Sequence, residues 1–193
     1  MTMNNKINTV NKDKLKEGDI IFISIPNFLY RAIEKGTNSQ TSHVGILLKD
    51  NDKWMVAESK VPMSGLSSLE DFISRSKNSW FAIRRFSEDL TQDQIKELKN
   101  ACQARYGVLY DFSFNFNAKK SFCSKFVYEV FKEACNIEVG TLESFKTLIN
   151  KNPKALTGFW KLWFLGFIPY KKFTVTPQSQ LINENLKEVI AHV

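Results

Sequence analysis

Apolar and polar positions along the chain predict a succession of short strands and helices. Met1 to Lys16 is polar and rich in Asn and Lys, so residues 1 to about 14 are expected to form a mobile arm. Glu17-Gly18-Asp19 then turns the chain into a strand over Ile20 to Ile25. Asn27 is placed to cap a short helix through Lys35, stopped by Gly36. His43 to Leu48 and Trp54 to Glu58 read as strands around turn residues Asp50-Asn51. Ser67 to Ser76 reads as helix, with Ser67 and Glu70 spaced as a capping box. Trp80 to Phe86 alternates as a strand, and Thr91 to Arg105 is a helix capped by Thr91 with Gln94. Leu109 to Asn117 is aromatic and irregular. Phe122 to Cys135 carries Phe126, Val127, Val130, Phe131 and Ala134 on one helical face. Thr141 to Asn150 is expected as helix, Asn152-Pro153 as the start of another, and Thr176-Pro177 as the opening of a short terminal segment. An α+β fold is expected, a small antiparallel sheet packed with helices.

The hairpin has a chemical consequence. A two-residue turn at Asp50-Asn51 would set His43 directly opposite Glu58 with both side chains on one face. A slip of one residue would send Glu58 to the other face.

Composition narrows the classes. With 193 residues and no repeat or low-complexity linker, one domain is expected over 15–193, with an aromatic segment at 153–175. Three cysteines without CxxC spacing argue against a disulfide framework or a zinc site, and no other metal-ligand cluster is evident; no cofactor is expected. Net charge is +7, but the basic residues lie in no run longer than two, so nucleic-acid binding is not expected. The first residues contain no apolar signal core, so a cytoplasmic location is expected. The aromatic run 159–170 is too short to span a bilayer and carries Lys161. Its stripe suits either a buried helix or a weak membrane-surface contact through Phe159, Trp160, Trp163 and Phe164.

The chain has two histidines, and His192 is the penultimate residue, which leaves His43 for chemistry. Cys123 opens the apolar-periodic stretch after Ser121-Phe122. A free thiol is mostly protonated at neutral pH, but a helix N-terminus and a nearby imidazole favour the thiolate. The imidazole needs an acceptor to fix its tautomer, and Glu58 is the candidate. The Cys123 N–H and one further donor would hold an oxyanion. Cys102 and Cys135 lie on apolar helical faces and are read as core thiols. Asp111 is read as a turn or cap residue.

Taken in order, Glu17-Gly18-Asp19-Ile20-Ile21-Phe22, His43-Val44-Gly45-Ile46, Val56-Ala57-Glu58-Ser59-Lys60-Val61-Pro62, Phe122-Cys123-Ser124-Lys125-Phe126-Val127, Phe159 to Gly166 and Val175-Thr176-Pro177 resemble the NlpC/P60 papain-like amidases. The Cys segment follows the His segment here. That order resembles the circularly permuted branch, the YebB/YiiX-like enzymes, most closely the YebB-like members. The resemblance covers about residues 17 to 177. It implies a permuted papain-like fold, Cys123 as nucleophile, His43 as general base and acid, Glu58 as orienter, and Tyr110 as a hydroxyl donor to substrate or oxyanion. Two positions depart from the NlpC/P60 pattern. Lys125 stands where glycine is usual, either adding positive potential to the site or pointing to solvent, and Phe122 stands where Asp is common.

The expected activity is a thiol hydrolase that cleaves an amide in an amino-acid- or peptide-containing small molecule through an acyl-enzyme on Cys123. The resemblance implies amino-acid-containing amides, such as cell-wall peptide fragments or N-acyl amino acids. A lipid-directed acyltransferase or phospholipase using the same Cys-His pair is the second reading. A catalytically silent small-ligand binding module is the third.

Overall fold

The computed structural model describes residues 10–152 and 155–191. Its centre is a six-stranded sheet. The strands are β1 (Ile20–Ile23), β2 (His43–Asp50), β3 (Lys53–Ser59), β4 (Ser64–Ser68), β5 (Phe81–Phe86) and β8 (Leu186–Ala191), ordered β4-β3-β2-β1-β5-β8. Every neighbouring pair is antiparallel. A two-stranded ribbon joins β6 (Glu143–Ser144) to β7 (Phe173–Thr174). Seven α-helices are described: α1 (Phe28–Thr37), α2 (Leu69–Ser74), α3 (Gln92–Gln103), α4 (Cys123–Cys135), α5 (Phe145–Lys151), α6 (Thr157–Trp163) and α7 (Pro177–Leu181).

Helices cover both faces of the sheet, which is why β1 reads as an unbroken apolar run, Ile-Ile-Phe-Ile, rather than an alternation. On one face Phe126, Val127, Val130 and Phe131 of α4 pack on Ile20, Phe22, Val44 and Ile46. On the other, Leu69, Phe72 and Ile73 of α2 pack on Ile21, Ile23, Leu47 and Val56. Truncating Phe126, fully buried in the first layer, would cost about 3–5 kcal/mol by cavity formation. A third cluster, largely aromatic, gathers Tyr110, Phe114, Phe122, Tyr128, Phe145, Ile168 and Val175 around the start of α4.

Several local expectations are corrected. The β2–β3 turn is Asn51-Asp52, both at positive φ (46° and 60°), with Asp50 paired to Lys53. Two consecutive left-handed residues are what a tight hairpin turn demands, and Asn and Asp tolerate them. Because Ile46 pairs with Ala57, Glu58 falls opposite Gly45 and diagonal to His43. The shift is two residues, so Glu58 keeps the face it was expected to share. Gly36 does not stop α1. The helix runs to Thr37 and closes on left-handed Asn38, while Trp160 lies against the surface that Gly36 leaves bare. Residues 64–68 form β4, and the cap of α2 is Ser68, accepting from the Asp71 N–H, rather than Ser67. The helix expected from Thr141 begins at Phe145, after β6, and the one expected from Asn152-Pro153 begins at Thr157; Pro153 lies outside the described residues.

Of the expected N-terminal arm, residues 10–14 are described. Val10 is buried, and Lys12 pairs with Glu70 at 2.7 Å. Residues 1–9 lie outside the described residues, as does His192.

Candidate active site

His43 is the first residue of β2, and Cys123 is the first residue of α4, which packs across β2 and β3. The two side chains therefore meet where the helix begins and the strand starts. Both His43 and Glu58 are fully buried, and His43 Nε2 lies 2.5 Å from Glu58 Oε2. A carboxylate only accepts, so Nε2 carries the proton and donates it to Glu58. That leaves Nδ1 as the nitrogen toward Cys123, and Nδ1 makes no hydrogen bond of good geometry in this resting state. Burial opposes a charge on His43. The neighbouring Cys123 sulfur and Glu58 carboxylate outweigh it and push the imidazole up from 6.5 to about 9.

Glu58 is held from three further directions. Its Oε1 accepts from Ser67 Oγ at 2.6 Å and Arg75 Nη2 at 2.6 Å, with Lys60 Nζ at 3.7 Å. Burial would raise this carboxyl. The hydrogen bond from His43, the Arg75 charge and the Ser67 hydroxyl overcome it and hold the group down at about 2. Arg75 also lies over the Phe72 ring at 5.0 Å, and Phe72 in turn lies 5.5 Å from the imidazole. Tyr30 of α1 meets His43 edge-on at 5.9 Å. Gly45 makes room for this arrangement. A Cβ there would collide with Val56 and come within 3.3 Å of Phe72.

Five of the seven helices (α1, α2, α3, α5 and α7) are capped by a side-chain oxygen from Asn27, Ser68, Thr91, Ser144 and Thr176. α4 is not. Apolar Phe122 occupies its N-cap, so no capping side chain competes for the first-turn N–H groups at Cys123. Tyr110 is buried and faces Cys123 and Tyr30, and its hydroxyl makes no hydrogen bond of good geometry. Burial first, then Cys123 and Tyr30, lift its ionisation well above the ordinary value. Tyr110 thus keeps its hydroxyl proton beside Cys123. Behind Cys123, Ser124 Oγ donates to Val175 O at 2.8 Å, and Gln180 Nε2 donates to Ser124 O at 2.9 Å. These bonds tie the start of α4 to the C-terminal segment.

Beside Cys123 lies a cavity of about 70 Å³ whose surface is mainly apolar, from Ile33, Phe114, Phe122, Phe145, Ile149, Trp160 and Val175, with Thr37, Ser42, Ser124, Thr174 and Thr176 also in its wall. Phe122, which departs from the NlpC/P60 pattern, is a wall of this cavity. Lys125 neither enters the site nor points to solvent. It is buried and donates to Lys120 O at 3.0 Å and to Ala118 O, closing the loop that precedes Cys123. Asp111 accepts from the Ser113 and Asn115 N–H groups, both at 3.0 Å, and so forms the turn expected of it. Burial pushes Cys102 up to about 12, as suits a core thiol.

The structure therefore brings His43, Glu58, Cys123 and Tyr110 together. It adds Tyr30, Ser67, Arg75 and Lys60, which the sequence reading did not select. Ser67 was hidden by reading β4 as helix. Arg75 and Tyr30 carry no local signal, because their role depends on which way α2 and α1 pack.

Comparison with known proteins agrees with this architecture. A family model described as "Permuted papain-like amidase enzyme, YaeF/YiiX, C92 family" matches residues 14–190. The uncharacterised protein YiiX of Escherichia coli K12 is 27% identical over 162 residues, 84% of this chain and 79% of YiiX. A crystal structure of YiiX from Escherichia coli O157:H7, described as a metalloprotein, superposes with a TM-score of 0.86 at 27% identity, covering 93% of this chain and 98% of that one. With the cysteine segment following the histidine segment on a shared fold, the chain belongs to the permuted papain-like amidases of the YaeF/YiiX family and is a thiol hydrolase of that kind.

Proposed function

We propose that this enzyme cleaves an amide whose acyl half is apolar and whose amine half is an amino acid, an N-acyl amino acid being the simplest such substrate. The observation that carries this reading is the mainly apolar cavity at Cys123. A peptide backbone entering it would leave its N–H and C=O groups unpaired, whereas an alkyl chain loses nothing there.

The chemistry follows from the side chains. The Cys123 thiolate attacks the amide carbon, forming the C–S bond as the carbonyl electron pair moves to oxygen. The Cys123 N–H and the Tyr110 hydroxyl donate to that oxyanion. The C–N bond then breaks, and the leaving amine takes a proton from the His43 imidazolium, whose raised affinity for that proton keeps it loaded at neutral pH. Neutral His43 next takes a proton from water as the oxygen attacks the thioester carbon; the C–S bond then breaks, its electron pair returns to Cys123 as thiolate, and the carboxylic acid leaves. Glu58 holds the imidazole throughout in the tautomer with its proton on Nε2.

The same cavity suits an ester-linked lipid acyl chain. An amine or alcohol replacing water in the second half would then make the enzyme a transferase. No step is assigned to a metal. Among the described residues no three His, Cys, Asp or Glu side chains converge as a ligand set, and Glu58 is already taken up by His43, Ser67 and Arg75.

The test is to incubate the protein with a panel of N-octanoyl and N-acetyl amino acids and follow amine release, with intact-mass trapping of the acyl-enzyme. The expected result is an octanoyl adduct on Cys123, faster release from octanoyl than acetyl substrates, and neither in Cys123→Ala. Preference for acetyl substrates, or release that persists in Cys123→Ala, would reject the reading.

A further inference from the structure

The aromatic segment contains two distinct sets of side chains. Phe159, Trp160, Trp163 and Phe164 are half-buried. Phe159 packs on Phe28, Trp160 on Phe114, Trp163 on Phe112 and Phe164 on Phe145. Leu162, Leu165 and Phe167 do the reverse, at 79%, 92% and 86% exposure. Leu165 is also held at φ 53°, a left-handed conformation that favours Asn or Gly. An aliphatic side chain that is both strained and almost fully in water contributes little to folding.

The charge around these residues is one-sided. The lysines of the chain are spread out, but the acids are not. Between residues 144 and 183 there are six lysines and no Asp or Glu, in a chain whose net charge is +7. Lys161, Lys171 and Lys172 flank the three apolar residues along the sequence, are exposed, and form no ion pair among the described residues. Trp160, Thr174 and Val175 of the same stretch help wall the cavity beside Cys123.

From this we infer that the 156–173 surface docks on an anionic lipid bilayer, with Leu162, Leu165 and Phe167 entering the headgroup–acyl boundary and Lys161, Lys171 and Lys172 meeting the lipid phosphates. Exposed apolar side chains with exposed lysines beside them in the chain are the chemistry of an interfacial anchor. A protein partner would need acids to answer the lysines as well as an apolar socket. A second copy of this chain, placing the same face on itself, would set lysine against lysine. No described helix is long and apolar enough to cross a membrane, so the contact is peripheral. Docking requires no chemistry at Cys123, and Cys123→Ala should bind as wild type does whether or not the hydrolase reading holds.

Flotation of the full chain with phosphatidylcholine vesicles, with and without about one-third phosphatidylglycerol, tests this. Wild type should float with the anionic vesicles only, and added salt should release it. Lys161→Gln/Lys171→Gln/Lys172→Gln should weaken partitioning roughly 100-fold. Leu162→Asn/Leu165→Asn/Phe167→Ser should weaken it at least about tenfold. Because Asn tolerates the backbone of residue 165, Leu165→Asn alone should lower partitioning without lowering Tm, which separates a surface role from a folding role. Wild type remaining unbound on both vesicle types would overturn the inference. So would equal binding to both types, or apolar variants that float as wild type does. A dimer in sedimentation equilibrium that the same apolar substitutions dissociate would also overturn it.

Discussion

Glu58→Gln probes the site most directly, because glutamine keeps the shape and has one acceptor oxygen where the site needs two. Oε2 of Glu58 serves His43 at 2.5 Å, while Oε1 serves Ser67 and Arg75, each at 2.6 Å. If the amide oxygen faces His43, the NH₂ group points at the Arg75 guanidinium, donor against donor. If it faces Arg75, the NH₂ group meets Nε2, and the imidazole must move its proton to Nδ1. His43 then has no lone pair toward Cys123 and cannot take its proton. Either way a buried charged partnership is broken, which costs about 3–5 kcal/mol when both ions are buried. Arg75 is partly exposed, so the low end, about 3 kcal/mol, applies. Acylation should fall about 100-fold to 10,000-fold, the range spanned by lost acid–base catalysis and by the wrong imidazole tautomer. Burst kinetics with p-nitrophenyl octanoate read acylation and deacylation separately. The substrate dissociation constant read from the concentration dependence of the burst should hold, because Glu58 touches no substrate. A stability loss of this size with a burst rate within about threefold of wild type would refute the argument, reducing Glu58 to a structural charge.

Arg75→Met should lower stability by about 1–3 kcal/mol and slow acylation through Glu58, with added guanidinium restoring part of the rate. In Cys123→Ala the largest contribution raising His43 disappears, so its NMR titration midpoint should move down from about 9 toward the ordinary 6.5; an unchanged midpoint would disconnect the two side chains. The buried Cys123–His43–Glu58 cluster should also shape stability against pH. Its His43 part is complete below 6.5 and lost as pH rises through about 9, and its Glu58 part is complete above 4.5 and lost as pH falls through about 2. The urea midpoint difference between wild type and Glu58→Gln should therefore be widest between 4.5 and 6.5 and narrow on both sides. Gly45→Ala should cost about 1–3 kcal/mol in chemical denaturation, because its Cβ would collide with Val56 and lie 3.0 Å from the Ala57 carbonyl.

Much of the fold is written in local pattern. The apolar stripe of α4, the capping box of α3 and the alternation of β5 each come from neighbours within one or two turns of chain, where periodicity and capping act. The candidate pair His43 and Cys123 was also legible, since the chain offers one histidine before a strand and one cysteine at the head of its most regular helix. Glu58 was legible as well, and for a robust reason. Its face depends on parity, so a register off by two residues still delivered it to His43. The polar, small-residue strand β4 and the late strand β8 were not legible, because edge pairing is set by the partner strand rather than by the strand's own residues. The same holds for the cations. Nothing near Arg75 in sequence indicates that α2 will bring it within 2.6 Å of Glu58. Nothing near Lys125 indicates that it will bury itself against backbone carbonyls. The inward or outward choice in the segment 159–167 was likewise a tertiary decision. A stripe of rings fits a core or a membrane equally by periodicity, and only the position of α6 against Phe28, Phe112 and Phe114 turned the aromatic set inward and left Leu162, Leu165 and Phe167 in water. Sequence by itself determined which groups are capable of chemistry and which segments form regular structure. Tertiary packing decided which charges meet, because electrostatic partners are selected by distance in space, and that distance is fixed only once the layers close.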